Sequence, residues 1–336
     1  MEKNDSLKIC NTTISAGEKI TLALPTPELY TCIPMHIPIH VIHGKYKGPT
    51  LLISAAIYGD EVNGIAIIQK LLKLNLLRTL SGTIIAIPAV NVYGLLSHTR
   101  NLPDNRDLKS SFPGTESGTF ASRLAYLLNK EIFSLATHFL DIFSGDLYQN
   151  SFPQIITNTN SLQCLELAKV FQTKVIVHSN KINIMHKDET KPTLVYKCGE
   201  AWRIDSYNVK IGIDGILRIM HHLEMIKFKG KIKKSYICKI LKETQWIRSP
   251  GSGLSKILKK IGSYVKKNEL IANITDPFGS KQEYKIVSPF EGIIISTNNF
   301  PLLNEGDYLI EIANNTEKNE QLQNLNLKQN EPIEIQ

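Results

Sequence analysis

The sequence predicts an α/β fold, a sheet flanked by helices, followed by a smaller all-β barrel or sandwich. Three observations predict it. Apolar strand-like runs alternate with helical stretches from Met35 to Met225, and after Lys227 the helices give way to short strands separated by Gly, Pro and Asn. The 336 residues also exceed the ~250–300 at which a single core stops growing. On this reading residues 1–34 form an N-terminal extension, 35–228 the α/β domain, 229–314 the all-β domain with a basic junction, and 315–336 a tail. The tail is rich in Asn, Gln and Glu and poor in apolar residues, so it is expected to be disordered.

The elements follow in order. IPIHVIHG (37–44), a turn at GKYKGP and TLLISAAIYG (50–59) read as two neighbouring strands, the second apolar on both faces. Glu61 to Leu77 places Ile65, Ile68, Leu71, Leu72 and Leu76 at helical spacing, and GTIIAIPAVN (82–91) is another buried strand. This β-α-β unit implies a right-handed crossover between parallel strands, with chemistry expected in loops at their carboxyl ends. Two segments leave those ends, Tyr58–Glu61 and the long loop Asn91–Gly114. A helix over Gly118–Ser134 leads to the strand HFLDIFSG (138–145), and VIVHSN (175–180) and PTLVYKCGE (192–200) supply two more. An amphipathic helix over Ser206–Met225 closes the domain. Beyond it SPGSGLSKIL, GSYVKKNELIANI, EYKIVSPFEGIIIS and NEGDYLIEIA read as the strands and turns of the second domain.

Composition narrows the function classes. With 42% hydrophobic and 21% charged residues, and no uncharged apolar run near the ~18 that a membrane span requires, the chain reads as soluble without a span. The opening MEKNDSLK lacks a secretory pattern, and the five cysteines are odd in number without a CxxC pair. A cytoplasmic protein is expected, with Cys198 read as a small buried thiol. The net charge of +8 is clustered: thirteen basic residues and one acid lie between Lys227 and Lys267, leaving the remainder at −4. That distribution argues against a generally basic nucleic-acid binder. It leaves a local question, since Lys227, Lys229, Lys231 and Lys233 would share one face of a strand.

The motifs come in a recognisable order: IYGDEVNG (57–64), PAVNVYGLLSHTRNLPDNRDLKSSFPG (88–114), LDIFSGD (140–146) and CGEAWRID (198–205). In order and spacing the chain resembles the succinylglutamate desuccinylase/aspartoacylase family, relatives of the zinc carboxypeptidases that cleave the amide of N-acylated amino acids. The resemblance runs over about residues 35–313. It implies a zinc-carboxypeptidase-like mixed sheet flanked by helices and a C-terminal barrel-sandwich domain. It further implies a zinc ion on two His and one Glu, with Arg100 stabilising an oxyanion and Glu200 acting as general base on the metal-bound water.

The residues themselves depart from that pattern. The family's two histidine positions hold Tyr58 and Phe143, so Glu61 is the sole retained ligand. Phenylalanine has no donor atom, and a phenol near pKa ~10 is a poor zinc ligand. The substrate clamp, RDLNR in the family, reads Arg106-Asp107-Leu108-Lys109-Ser110, which keeps charge but loses the guanidinium fork. The expectation is a protein that holds zinc weakly or not at all and is catalytically degenerate. It would be a pseudoenzyme or binding protein for a small carboxylate or N-acyl amino acid, with Tyr58 and Phe143 filling the former metal cavity. Two alternatives stay open. Asp60, Glu61, Asp141 and Asp146, with His98, could form a rebuilt carboxylate metal site in an active hydrolase. Arg100 and Glu200 could simply pair across the old cleft.

Overall fold

The computed structural model describes residues 2–30, 35–180, 185, 188, 190–227, 238–279 and 283–314. The strand expected around Lys229, Lys231 and Lys233, and the tail from 315 onward, lie outside the described residues.

A 13-stranded sheet carries the fold. At its centre Tyr46–Ala55 runs parallel to Ser81–Ile87 on one side and to His138–Phe143 on the other, and Thr193–Gly199 continues the parallel set beyond His138–Phe143. Antiparallel strands flank these: His36–His43 and then Lys19–Pro25 at one edge, Gln149–Thr157 at the other side. The sheet is therefore mixed, and the four parallel strands point the loops after Ala55, Ile87, Phe143 and Gly199 to one edge.

Alternation along the strands builds two cores. Leu52, Ile85 and Ile87 face one side, where the helix Phe120–Glu131 covers them with Leu124 and Leu128. Leu51, Ile53, Ile84 and Ile142 face the other, under the helices Val62–Leu71, Leu162–Phe171 and Ser206–His222. The period of two is what lets one apolar strand serve both layers. Helix starts are capped by Thr119, Ser161 and Asp205, each accepting a hydrogen bond from a backbone N–H of the first turn. The helix expected over Glu61–Leu77 is split: the α-helix ends at Leu71, Leu74 is extended, and Asn75–Thr79 forms a short 3-10 turn. No helix among the described residues is long and apolar enough to cross a membrane.

Gln149–Thr157 is the one central strand that the apolar pattern did not reveal. It contains Pro153, which offers no N–H to a ladder, and its register against Thr193–Gly199 shifts between Lys197 and Gly199, where Pro153 falls. The irregularity accommodates a proline that would otherwise break the strand.

The C-terminal part is joined to this sheet rather than tethered to it. Gly292–Asn298 pairs with Gln149–Thr157 through Ser296 with Ser151, Thr297 with Asn150 and Asn298 with Gln149. It also pairs with Tyr308–Asn314, which in turn pairs with Glu243–Arg248. A separate 4-stranded antiparallel sheet of Tyr284–Val287, Leu270–Thr275, Gly253–Ile257 and Leu302–Leu303 completes the domain. Within Gly292–Asn298, Ile294 enters the core of that domain, while Ile293 and Ile295 enter an apolar seam with Val175, Val177 and Leu241.

Candidate functional site

The strand ends bring Tyr58, Glu61, Arg100, Lys109 and Phe143 together. Gly59 is required where the first loop turns back: a Cβ there would lie 2.1 Å from the Gly94 carbonyl carbon. Its N–H donates to Arg100 O at 3.3 Å, which holds the arginine loop against the loop that bears Tyr58 and Glu61. Gly114, at the end of the same long loop, has φ +81 and sits so close to Ser122 O that a Cβ would lie 2.3 Å from it.

Glu61 is 1% exposed and links two loops, one carboxyl oxygen accepting from Tyr58 N–H and the other from Ser144 N–H, each at 3.2 Å. Burial pushes its pKa up to about 8, with the two N–H donors and Arg100 working against the rise. Asp141, on the strand beneath, is pushed up to about 6 by burial, opposed by the Ser54 hydroxyl that donates to it and by the charge of Lys109.

The two rings carry cations. The Arg100 guanidinium stacks over Tyr58, 3.6 Å from the ring centroid, and the Lys109 ammonium lies 4.3 Å from the centroid of Phe143. The rings themselves are 6.5 Å apart. Tyr58 donates its hydroxyl to Asp107 Oδ2 at 3.1 Å, and burial together with the Asp107 charge raises its pKa well above the ordinary value. It therefore stays a phenol. Arg100 Nη1 lies 2.8 Å from Asp146 Oδ1 and 3.7 Å from Asp60 Oδ2. Burial opposes its charge, but these carboxylates outweigh burial and hold its pKa above the usual value. Asp60 Oδ1 and Ser144 Oγ are buried without a hydrogen-bond partner among the described residues, so each has capacity for a bound group.

Glu200 stands at the same edge but is engaged elsewhere. Asn299 Nδ2, from the loop after Gly292–Asn298, donates to Glu200 Oε2 at 2.9 Å, and Arg203 Nε lies 3.5 Å from Oε1. Among the described residues Arg100 and Glu200 do not pair, since each has other partners. Arg106 points away to Asp104 at 3.8 Å and is mostly exposed. Ser110 is exposed and donates its hydroxyl to Asp107 O at 3.1 Å. Of the three clamp positions only Lys109 reaches the cleft. His98 is exposed and packs edge-on against Trp202 at 5.5 Å. Cys198 is fully buried and its thiol is pushed up to about 12 by burial, as a packing residue would be.

Sequence reasoning left Asp107 and Asn299 without a role. Asp107 lies in the long-loop motif, and a carboxylate there is the one local signal of an acceptor for the Tyr58 phenol. Asn299 lies in another domain and carries no local signal.

Residues 47–223 match the family model described as the succinylglutamate desuccinylase/aspartoacylase catalytic domain. The chain belongs to that family. Members of the succinylglutamate desuccinylase/aspartoacylase family are deacylases acting on N-acyl amino acids. The N-alpha-acetyl-L-2,4-diaminobutyric acid deacetylase of Halomonas elongata is 30% identical over 110 residues, which is 32% of each chain. The match thus spans about a third of that relative. Among solved structures, a succinylglutamate desuccinylase/aspartoacylase from Rhodobacter sphaeroides superposes with TM-score 0.79 at 22% identity, covering 90% of this chain and 96% of that one. The product-bound ectoine utilization protein EutE (DoeB) from Ruegeria pomeroyi gives 0.76 at 21%, covering 89% and 95%. At these identities the superpositions establish the fold, including the C-terminal domain.

Proposed function

We propose that this member of the family binds a small carboxylate, of the N-acyl amino acid class, in the ancestral cleft and does so without zinc-dependent hydrolysis. One observation carries the reading: both positions that hold zinc histidines in the family carry rings, and each ring has a cation over its face. Zinc takes three or four directed N, O or S donors, whereas here Glu61 is the single donor of the family set. The Tyr58 phenol is kept protonated against Asp107, and Phe143 has no donor. Among the described residues no three His, Cys, Asp or Glu converge as a metal cluster. The residues present do not fit a zinc ion.

The same reading explains Glu200. Without a metal-bound water to activate, Glu200 is left a tethering role, its Oε2 accepting from Asn299 and its Oε1 facing Arg203. The rebuilt carboxylate site is disfavoured for a related reason: Asp60 and Asp146 share Arg100, and Asp141 accepts from Ser54. The four described cysteines are free thiols, which suits a reducing compartment, and we place the protein in the cytoplasm.

The test is metal analysis of the purified protein followed by calorimetric titration with a panel of N-acetyl amino acids, including N-acetyl-2,4-diaminobutyrate. Binding by metal-free protein, with no product released, is the expected result. Near-stoichiometric tightly held zinc, or turnover that chelator abolishes, would overturn the reading.

A further inference from the structure

The cleft has lost two neutral zinc ligands, but it has not lost its positive charge. Lys109 extends from a short 3-10 turn, Lys109–Ser111, whose backbone is fixed when Lys109 N–H donates to Asp107 Oδ1 at 2.7 Å. From there its half-buried side chain brings Nζ to 4.3 Å from the centroid of Phe143, on the face of the residue that occupies the second histidine position. Burial holds the Lys109 pKa below the ordinary value, and the carboxyls of Glu61, Asp141 and Asp107 oppose that fall by favouring the charged ammonium. None of the described residues makes a hydrogen bond or ion pair to Nζ. An ammonium has three donors, so a half-buried one that spends none of them on the protein retains them for a ligand. Ser144, which follows Phe143 in the chain and is 5% exposed, has an Oγ that is also without a partner among the described residues.

We propose that Lys109 is a tethered replacement for the zinc ion: its ammonium supplies the fixed positive charge of the cleft, seats a carboxylate or carbonyl oxygen of the ligand, and bars a divalent cation from the Glu61 position. This rests on the reading of the cleft as a metal-free carboxylate site. A +2 ion beside Glu61 would face the Lys109 ammonium, which already interacts with that carboxyl, in a partly dry site where like charges repel several times more strongly than in water. The lysine and a metal are therefore alternatives, not partners.

The experiment compares zinc affinity, measured by chelator competition, in three metal-free proteins: the natural chain, the Tyr58→His/Phe143→His chain, and the same double variant carrying Lys109→Met. If Lys109 bars the metal, the triple variant binds zinc at least ~30-fold more tightly than the double. Equal affinity in the two would overturn the proposal while leaving the zinc-free reading of the natural chain intact. A second arm keeps the natural rings. Lys109→Met alone should lower affinity for the tightest N-acetyl amino acid of the panel at least ~10-fold, and Lys109→Arg should recover part of it. Unchanged affinity in Lys109→Met would also overturn the proposal. A natural chain that binds none of the panel would instead sink the carboxylate reading, and the zinc competition would still decide whether Lys109 excludes metal.

Discussion

Replacing Asp141 by Asn separates a metal-free cleft floor from a carboxylate metal site. Asp141 lies on His138–Phe143, is 3% exposed, and accepts a hydrogen bond from the Ser54 hydroxyl that Asn can accept equally through its own carbonyl. Burial raises its pKa from 3.8 to about 6, so between those values the folded state holds a proton that the unfolded chain releases. Stability then falls as pH rises through this window by about 1.4 kcal/mol per unit, about 3 kcal/mol in total, and is flat above it. Asn has no proton to lose. Urea unfolding of both proteins at pH 4 and pH 8 should therefore show the Asn variant gaining about 3 kcal/mol on the natural chain between the two, with all other titrations cancelling in the difference. A divalent cation on Asp141 would pull its pKa below 3.8, and the variant would lose ground with rising pH instead. Parallel profiles, or a slope of that opposite sign, would refute the account of a buried carboxyl without a metal.

Two further substitutions probe the ring and the loop. Tyr58→Phe keeps the surface under Arg100 but leaves Asp107 Oδ2 without its donor, and should cost about 1–2 kcal/mol in urea unfolding; a neutral result would mean that water replaces the phenol without loss. Asn299→Ala releases Glu200 Oε2 and should cost about 1 kcal/mol while speeding amide exchange at Asn299, whose N–H donates to Tyr148 O; unaltered exchange would show that this side chain does not hold the loop.

Most of the fold was legible because the strands bury both faces and the helices bury one. Runs such as TLLISAAIYG and GTIIAIPAVN could be little else, and they fell where the parallel strands lie. Gln149–Thr157 was hidden because Pro153 argues against a central strand unless the register irregularity beside it is known. The site divides in the same way. Tyr58, Glu61 and Phe143 were visible because they lie at or just past strand ends, and Arg100 because the long loop after Ile87 carries it in a motif of recognisable order. Arg106 and Ser110 share a motif with Lys109, yet their side chains turn outward to Asp104 and Asp107 O, a matter of loop geometry that adjacency does not reveal. Asn299 meets Glu200 across 99 positions of sequence, a contact set by strand pairing between distant segments.

The pairing of Gly292–Asn298 with Gln149–Thr157, where the Ser296 hydroxyl donates to Asn150 O at 3.1 Å and Asn299 N–H to Tyr148 O at 2.6 Å, means that this chain cannot be divided where its composition changes. A fragment ending before the barrel would present the first half of Gln149–Thr157 as a bare edge, together with Phe152, Val175 and Val177 stripped of their cover. Such an edge is a template for pairing with other chains. Expression of the α/β part alone should favour aggregates over a soluble half, and the barrel is best regarded as the piece that finishes the sheet.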